Sequence, residues 1–121
     1  MKTFFKELKS GNIVTELTTF SPADDQATYE KLTANTVDAA QEKHVPVVSK
    51  DGNTVTVAVG SVPHPMEEAH YITAIYIETS KGGQFANLKP GEKPEATFTL
   101  NDGEEFVAAY EYCNLHGLWK N

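Results

Sequence analysis

The segment Asn53-Thr54-Val55-Thr56-Val57-Ala58-Val59-Gly60 decides the fold, because valine occupies every second position in its centre. A period of two is typical of a β-strand with one buried face, and β-branched residues favour that conformation. Tyr71–Glu78 (YITAIYIE) alternates with apolar residues on both faces. Glu105–Tyr112 (EFVAAYEY) places Phe, Ala, Tyr and Tyr on one side. Thr97–Leu100 (TFTL) places Phe98 and Leu100 on one side. These four segments predict strands.

Turn residues separate these segments. Asp51-Gly52 divides Val45–Ser49 from the strand that follows, Lys81-Gly82-Gly83 ends the next one, and Asn101-Asp102-Gly103 joins the last two. Glycine at such positions is typical of hairpins between antiparallel strands. Because no helical pattern lies between the strands, the sequence predicts an all-β fold, an antiparallel β-sandwich.

The first 40 residues have a different character. Phe20-Ser21-Pro22-Ala23-Asp24 combines a capping serine, a proline at the first helical position and an acid three residues after the cap. Asp24–Leu32 is therefore predicted either as a short helix or as an acidic, solvated loop. Gly11–Leu17 (GNIVTEL) predicts a strand, and Thr36–Glu42 (TVDAAQE) predicts a connector or a single helical turn.

The composition limits the class of protein. The chain has 121 residues, a formal net charge of −7 and 40% apolar residues, which is enough for one self-supporting domain. Its single cysteine excludes an internal disulfide. No basic face for nucleic acid is visible, and no apolar run approaches the roughly 20 residues that span a bilayer. The start, MKTFFKELKSGN, lacks the apolar core of a signal peptide, so a cytoplasmic location is expected.

Four histidines and one cysteine are the residues best suited to chemistry. All of them lie at predicted strand ends or in loops, and none lies mid-strand on an apolar face. Proline on each side of His64 holds that segment extended, and Cys113 lies three residues before a histidine. This distribution favours one shared site formed by His44, His64, His70, Cys113 and His116.

Such a donor set predicts a bound metal ion, and residue type alone leaves three ions open. Cys-x-x-His is a common ligand spacing, but a structural zinc site is four-coordinate and normally richer in cysteine. Blue copper uses two histidines, a cysteine and a weak axial methionine, and here no methionine follows Cys113. A square of imidazoles with an axial thiolate suits iron best and leaves a sixth position open for small-molecule chemistry.

Three motifs resemble the iron-site motifs of the superoxide reductases, the desulfoferrodoxin and neelaredoxin family. They are Glu42-Lys43-His44-Val45-Pro46, Pro63-His64-Pro65-Met66 with His70, and Tyr112-Cys113-Asn114-Leu115-His116-Gly117. The resemblance extends from about Asn35 to Lys120. It implies an immunoglobulin-like β-sandwich that holds one mononuclear, non-haem iron per chain.

The resemblance also assigns the iron ligands. It implies equatorial histidines, an axial Cys113, a Glu42 carboxylate that binds in the oxidised state only, and a cation, Lys43, beside the open position. The equatorial set would be His44, His64, His70 and His116.

A reaction and its partners follow from the same resemblance. Iron would reduce superoxide to hydrogen peroxide with one electron and two protons, and rubredoxin or another reductant would restore the iron. Lys43 is expected to attract superoxide locally, because a chain of charge −7 repels that anion. Glu42 and Lys43 are therefore the expected catalytic residues, and a homodimer is expected from homologues of this length. The alternatives are a small electron carrier with copper or iron, or a β-sandwich module stabilised by zinc.

Residues 1–35 depart from the longer members of that family, in which CxxC and a CC pair bind a second iron. Glu7 and Ser10 stand where the first two thiols would be, and Asp24 and Asp25 stand where the pair would be. The segment is expected to be a relic, desulforedoxin-like N-terminal extension without metal ligands, or else an unrelated extension. Residues 36–121 are expected to form the iron-binding β-sandwich.

Overall fold

The computed structural model describes residues 2–18 and 28–121, which divide into two compact units, Met1–Thr33 and Ala34–Asn121. The described residues form ten strands and one short helix. In chain order the elements are β1 (Phe4–Glu7), β2 (Ile13–Thr15), β3 (Tyr29–Lys31), α1 (Gln41–His44), β4 (Pro46–Asp51), β5 (Thr54–Val59), β6 (Ile72–Thr79), β7 (Gly82–Asn87), β8 (Glu95–Thr99), β9 (Phe106–Cys113) and β10 (Gly117–Lys120).

The N-terminal unit contains a three-stranded antiparallel sheet with the strand order β2-β1-β3. β2 confirms the strand predicted within Gly11–Leu17. The helix and the loop considered for Asp24–Leu32 are both wrong over Tyr29–Lys31, because backbone pairing with β1 makes this stretch a strand. The predicted helix start, with Ser21, Asp24 and Asp25, falls within residues 19–27 and lies outside the described residues.

Glu7 and Ser10, the two positions that the resemblance aligns with thiols, are joined by hydrogen bonds in the turn after β1. The Glu7 carboxylate accepts hydrogen bonds from the Ser10 amide at 2.7 Å, the Ser10 hydroxyl at 2.6 Å and the Lys9 amide at 3.1 Å. The hydrogen bonds from Ser10 lower the pKa of Glu7, so the carboxylate is the favoured form. A carboxylate and a hydroxyl thus stabilise this turn by hydrogen bonding.

The second unit is an antiparallel β-sandwich, as predicted. One sheet has the order β10-β9-β6-β7 and the other β4-β5-β8. Their inner faces form one core, to which β5 contributes Val55, Val57 and Val59 and β8 contributes Phe98. The alternation of valines along β5 therefore positions the smaller sheet, with all three side chains buried.

The larger sheet departs from simple alternation at β6. Ile72, Ile75 and Ile77 are all fully buried in the same core, although Ile72 has the opposite parity from the other two. A register shift between Ile72 and Ala74 in the pairing with β9 allows this, since a bulge moves one residue to the other face. Both faces of β9 are covered as well, because Ala109 and Cys113 join the core while Ala108 and Tyr110 are buried opposite them.

Four strands were not predicted. These are β1, β3, β7 and β10. The turn predicted at Lys81-Gly82-Gly83 lies one position earlier, at Ser80-Lys81, and both glycines begin β7. Gly83 is suited to this place because a Cβ there would overlap the Tyr76 ring. The helical turn expected within Thr36–Glu42 lies slightly later, as α1.

No helix in residues 2–18 and 28–121 has the length and apolar character that a membrane-spanning segment requires.

Candidate metal centre

One end of the sandwich brings together the five side chains predicted to share a site. His44 ends α1, His64 follows β5, His70 precedes β6, Cys113 ends β9 and His116 precedes β10. Each offers one donor atom, and the five atoms lie within 4.8 Å of one another. Because both sheets and α1 contribute, residues 72 positions apart in sequence, such as His44 and His116, come into contact.

The four imidazoles form a square. Neighbouring ring centroids are 4.7 Å apart for His44 and His64, 4.5 Å for His64 and His70, 5.0 Å for His70 and His116, and 4.9 Å for His116 and His44. These neighbouring rings are nearly perpendicular, with interplanar angles of 74–86°. His44 and His70 lie across the diagonal at 6.5 Å with an interplanar angle of 30°.

The Cys113 sulfur lies beside this square. Its Sγ is 3.5 Å from His64 Nε2 and 3.9 Å from His116 Nδ1, which belong to opposite corners. The sulfur therefore lies at similar distances from two opposite corners of the square. Its expected role as an axial ligand stays a prediction.

Backbone carbonyls fix which ring nitrogen of two histidines faces the centre. His44 Nδ1 donates to the Ala40 carbonyl at 2.7 Å, and His64 Nδ1 donates to the Pro65 carbonyl at 2.6 Å. In a neutral imidazole the other nitrogen is then an acceptor. The two Nε2 atoms nevertheless face each other at 3.2 Å, which places two lone pairs in contact. A cation between them would satisfy both, and a carbonyl partner on the outer nitrogen is usual for metal-bound histidine.

His70 adds an unsatisfied buried nitrogen. Its Nε2 has no hydrogen-bond partner among the described residues, although the atom is buried. A buried donor or acceptor without a partner costs about 1–3 kcal/mol. This cost disappears if the nitrogen binds an ion, so His70 also fits a metal site.

Burial keeps two of the imidazoles in the neutral form that can bind a cation. Desolvation lowers the pKa of His44, and it lowers the pKa of His64 to about 4, so both rings are neutral near pH 7. Burial raises the pKa of Cys113, opposed by hydrogen bonds from the backbone amides of Leu115 and His116. A bound ion would deprotonate this thiol, since coordination favours the thiolate.

The predicted catalytic pair lies beside the cluster on α1. Glu42 and Lys43 are both exposed and directly precede the buried His44. The donor cluster identified among the described residues does not include the Glu42 carboxylate. Their proposed roles, as an oxidised-state ligand and as a local cation, therefore stay predictions.

The sequence alone did not identify four supporting residues. Gly60 lets the loop before His64 approach α1, Asn114 contacts both neighbours of His70, and Trp119 stacks on His44.

Glu111 is 1% exposed on β9, its oxygens have no hydrogen-bond partner among the described residues, and burial raises its pKa to about 9. Of the four, only Asn114 lies inside one of the three family motifs, Tyr112–Gly117. An asparagine at that position does not by itself predict contacts with Ala69 and Tyr71.

The five donors fit a metal ion in number and chemistry. Four imidazole nitrogens and one sulfur exceed the four ligands of a closed zinc site. Nitrogen and thiolate donors suit iron, copper and zinc. The cluster could therefore bind iron.

Comparison with known proteins identifies the family of the chain. The desulfoferrodoxin family model matches residues 36–121. The desulfoferrodoxin of Syntrophotalea carbinolica is 51% identical over 90 residues, which cover 74% of this chain and 70% of that protein. The superoxide reductase of Pyrococcus horikoshii is 34% identical over 108 residues, covering 75% of this chain and 94% of that protein.

A solved structure extends the likeness to the N-terminal unit. The crystal structure of the superoxide reductase from Treponema pallidum has a TM-score of 0.82 and 37% sequence identity, covering 100% of this chain and 98% of that one. Sequence, fold and donor cluster lead to the same assignment: this chain belongs to the desulfoferrodoxin family, to which the superoxide reductases are related.

Proposed function

We propose that this protein is a superoxide reductase, which converts superoxide, one electron and two protons into hydrogen peroxide. The observation that supports it most directly is the contact of 3.2 Å between two acceptor nitrogens, His44 Nε2 and His64 Nε2, inside a buried square of imidazoles. A cation would satisfy both lone pairs, and relatives that share at least a third of their aligned residues are named superoxide reductases.

We propose iron as the ion, one per chain. His44, His64, His70 and His116 would hold it in the plane, and Cys113 would bind on one side. When bound, iron would supply the single electron that superoxide takes up, and it would be reduced again by an outside donor. Five protein donors would leave a sixth position on the ion for a small anion, whereas a structural zinc site is closed and four-coordinate.

The protein residues around the ion have separate tasks. Ala40 and Pro65 carbonyls hold the rings of His44 and His64 through their Nδ1 atoms, which keeps both Nε2 lone pairs directed inward. The amides of Leu115 and His116 stabilise negative charge on the Cys113 sulfur. These contacts would orient the donors before the ion binds, which would limit the reorganisation that accompanies electron transfer.

Lys43 would attract the anionic substrate. Its ammonium is exposed and belongs to the residue next to a ligand, while the chain carries a charge of −7. At physiological salt the Debye length is about 8 Å, so distant carboxylates are largely screened and a nearby cation is not. Glu42, on the other side of Lys43, would bind the ion only in its oxidised state.

The domain organisation, donor and assembly complete the proposal. Residues 36–121 would hold the iron site, and residues 1–35 would be a desulforedoxin-like extension that carries no metal. The closed turn of Glu7 and Ser10 supports this, since hydrogen bonds occupy the two positions aligned with thiols. Without a second iron, rubredoxin or another reductant would transfer electrons directly to this site. We further expect a cytoplasmic homodimer.

Metal analysis of the purified full-length protein, combined with visible spectroscopy and an assay with superoxide, tests the proposal. Iron near one equivalent, a thiolate charge-transfer band in the red region, and peroxide formed without oxygen would support it. An intense blue copper band would indicate an electron carrier, and colourless zinc would indicate a structural module; either result would contradict the proposal.

A further inference from the structure

Trp119 makes two contacts with the donor square from a single buried side chain. Its indole is 1% exposed and stacks on the His44 ring, with centroids 5.0 Å apart and an interplanar angle of 29°. Its Nε1 donates a hydrogen bond of 3.0 Å to the backbone carbonyl of His116. His44 and His116 are neighbours in the square, so one side chain restrains two adjacent donors through different kinds of contact.

The backbone of Trp119 is held on both sides. In β10 it pairs with Glu111 of β9. On the other side of β10, Asn35 accepts a hydrogen bond from the Lys120 amide at 2.8 Å, donates to the Lys120 carbonyl at 3.0 Å, and donates from its own amide to Leu118 at 3.0 Å. The residues on either side of Trp119 are therefore fixed, and the indole has little freedom to move away from His44.

Stacking on Trp119 adds a second restraint on the His44 ring, beside the hydrogen bond to the Ala40 carbonyl. The Ala40 carbonyl holds His44 at Nδ1, but one hydrogen bond does not fix the plane of the ring. The indole face packed against the ring opposes tilting of that plane, because a tilted ring would collide with the indole. The indole N–H is also satisfied, as buried tryptophan requires.

We propose that Trp119 is a positioning residue of the metal centre, which orients His44 by stacking and His116 by its indole hydrogen bond. The inference rests on the proposed metal site and concerns how tightly that site retains its ion. Because Trp119 is the only tryptophan of the chain, its fluorescence should also report occupancy of the site.

Two variants separate the two contacts. Trp119→Phe keeps an aromatic ring against His44 and loses the donor to His116, whereas Trp119→Leu loses both contacts. Phe98→Leu is a matched control, because Phe98 is a buried aromatic residue at 5% exposure and lies in β8, a strand that carries none of the five donors.

The measurement is the release of Fe²⁺ to a chelator from the anaerobically loaded full-length protein. One lost hydrogen bond is worth about 1 kcal/mol, so we expect about fivefold faster release from Trp119→Phe and a larger increase from Trp119→Leu. Release from Phe98→Leu should match wild type although its melting temperature falls. In wild type, Fe²⁺ should quench tryptophan fluorescence with an end point at one ion per chain.

The outcomes distinguish this inference from the proposed function. If wild type binds Fe²⁺ but Trp119→Phe and Trp119→Leu release it at the wild-type rate, Trp119 has no positioning role. The same conclusion follows if Phe98→Leu accelerates release as much as they do, since the effect would then be general destabilisation. If Trp119→Leu does not fold, Trp119→Phe still decides the question. If wild type binds no Fe²⁺, the proposed function itself is wrong.

Discussion

Gly60 lies so close to Glu42 that a Cβ at position 60 would be 2.6 Å from the Glu42 carbonyl oxygen. That carbonyl also accepts hydrogen bonds from the Val62 amide at 2.9 Å and from the Ser61 hydroxyl at 3.3 Å. The loop that leads to His64 is thereby held against the helix that ends at His44. Two neighbouring corners of the imidazole square depend on this backbone contact.

Gly60→Ala is therefore expected to displace α1 and weaken metal retention. The added methyl group meets backbone atoms, which cannot rotate away, and overpacking of this kind costs about 1–3 kcal/mol. Gly52→Ala is the control, because Gly52 has a φ of 57° and no atom within 4 Å of the added Cβ. It should lose about 1–2 kcal/mol through backbone strain alone. Chelator-driven metal release should accelerate for Gly60→Ala only; equal release from both variants would contradict the prediction.

The central strands were predictable from sequence because their side-chain pattern reflects burial directly. β5 alternates valine with smaller or polar residues, and the structure buries Val55, Val57 and Val59. β7 was missed because its sequence, GGQFAN, has a weak apolar pattern. It becomes a strand through pairing with β6, in which Gly83 accommodates the Tyr76 ring. Such a strand depends on its partner more than on its own composition.

The donor set was also predictable, since histidine and cysteine are rare and each lies next to a turn or proline. A square of imidazoles was expected from the donor types and the family resemblance, but sequence could not give the residues that support it. Trp119 and Asn114 act across strand ends that are far apart in the chain. Their roles follow from the pairing register of β9, β6 and β10, which no local pattern encodes.

Cys113→Ser is expected to remove the thiolate charge-transfer band of the oxidised protein. The sulfur lies 3.5 Å and 3.9 Å from donors at opposite corners of the square, where it would bind an ion axially. A serine hydroxyl has a similar size but does not provide a thiolate. Visible spectroscopy of the loaded variant checks this, and a band that persists would exclude Cys113 as a ligand.

Lys43→Ala is expected to slow the reaction with superoxide by about fivefold at low salt, because two unit charges about 4 Å apart in water interact by about 1 kcal/mol. The difference should shrink as salt rises, since screening reduces the attraction. Lys50→Ala removes the same charge from an exposed position in β4 and is the control. Pulse radiolysis gives the bimolecular rate constants. Equal rate constants for the two variants would show that Lys43 has no local role.

Glu104 is expected to make the stability of the fold depend on pH independently of any bound metal. Its carboxylate accepts hydrogen bonds from the Thr79 hydroxyl and from the Asn101 amide, and these bonds lower its pKa from the ordinary value of 4.5. On acidification the unfolded chain therefore takes up this proton before the folded chain does. The stabilisation is fully present above about pH 4.5 and is lost as the pH falls through the folded pKa.

Glu104→Gln should consequently be less stable than wild type at pH 7, with a difference that narrows below pH 4.5. Urea unfolding of the metal-free protein between pH 7 and pH 3 measures this. Glu105→Gln changes an exposed neighbour and should follow the wild-type curve. A constant difference between Glu104→Gln and wild type at every pH would refute the assignment.

Asn114 joins the loop of Cys113 to both neighbours of His70. Its Oδ1 accepts a hydrogen bond from the Tyr71 amide at 2.9 Å, and its Nδ2 donates to the Ala69 carbonyl at 3.0 Å. The Asn114 amide also donates to the Tyr71 carbonyl at 3.2 Å, so only the two side-chain bonds depend on residue type. These bonds hold the peptide segment on each side of His70, whose Nε2 is the buried nitrogen without a partner among the described residues.

Asn114→Ala is expected to accelerate metal release by roughly fivefold to 150-fold, because it loses two hydrogen bonds that are each worth about 0.5–1.5 kcal/mol. Asn114→Asp keeps the acceptor for Tyr71 but places an acceptor oxygen against the Ala69 carbonyl, so its release rate should also exceed that of wild type. Asn53→Ala is the control, since it loses a side-chain hydrogen bond to Asp102 in the turn region away from the donors. Chelator competition on the loaded, full-length proteins gives the rates. If Asn114→Ala and Asn53→Ala release the ion equally fast, His70 is held by its own turn and not by Asn114.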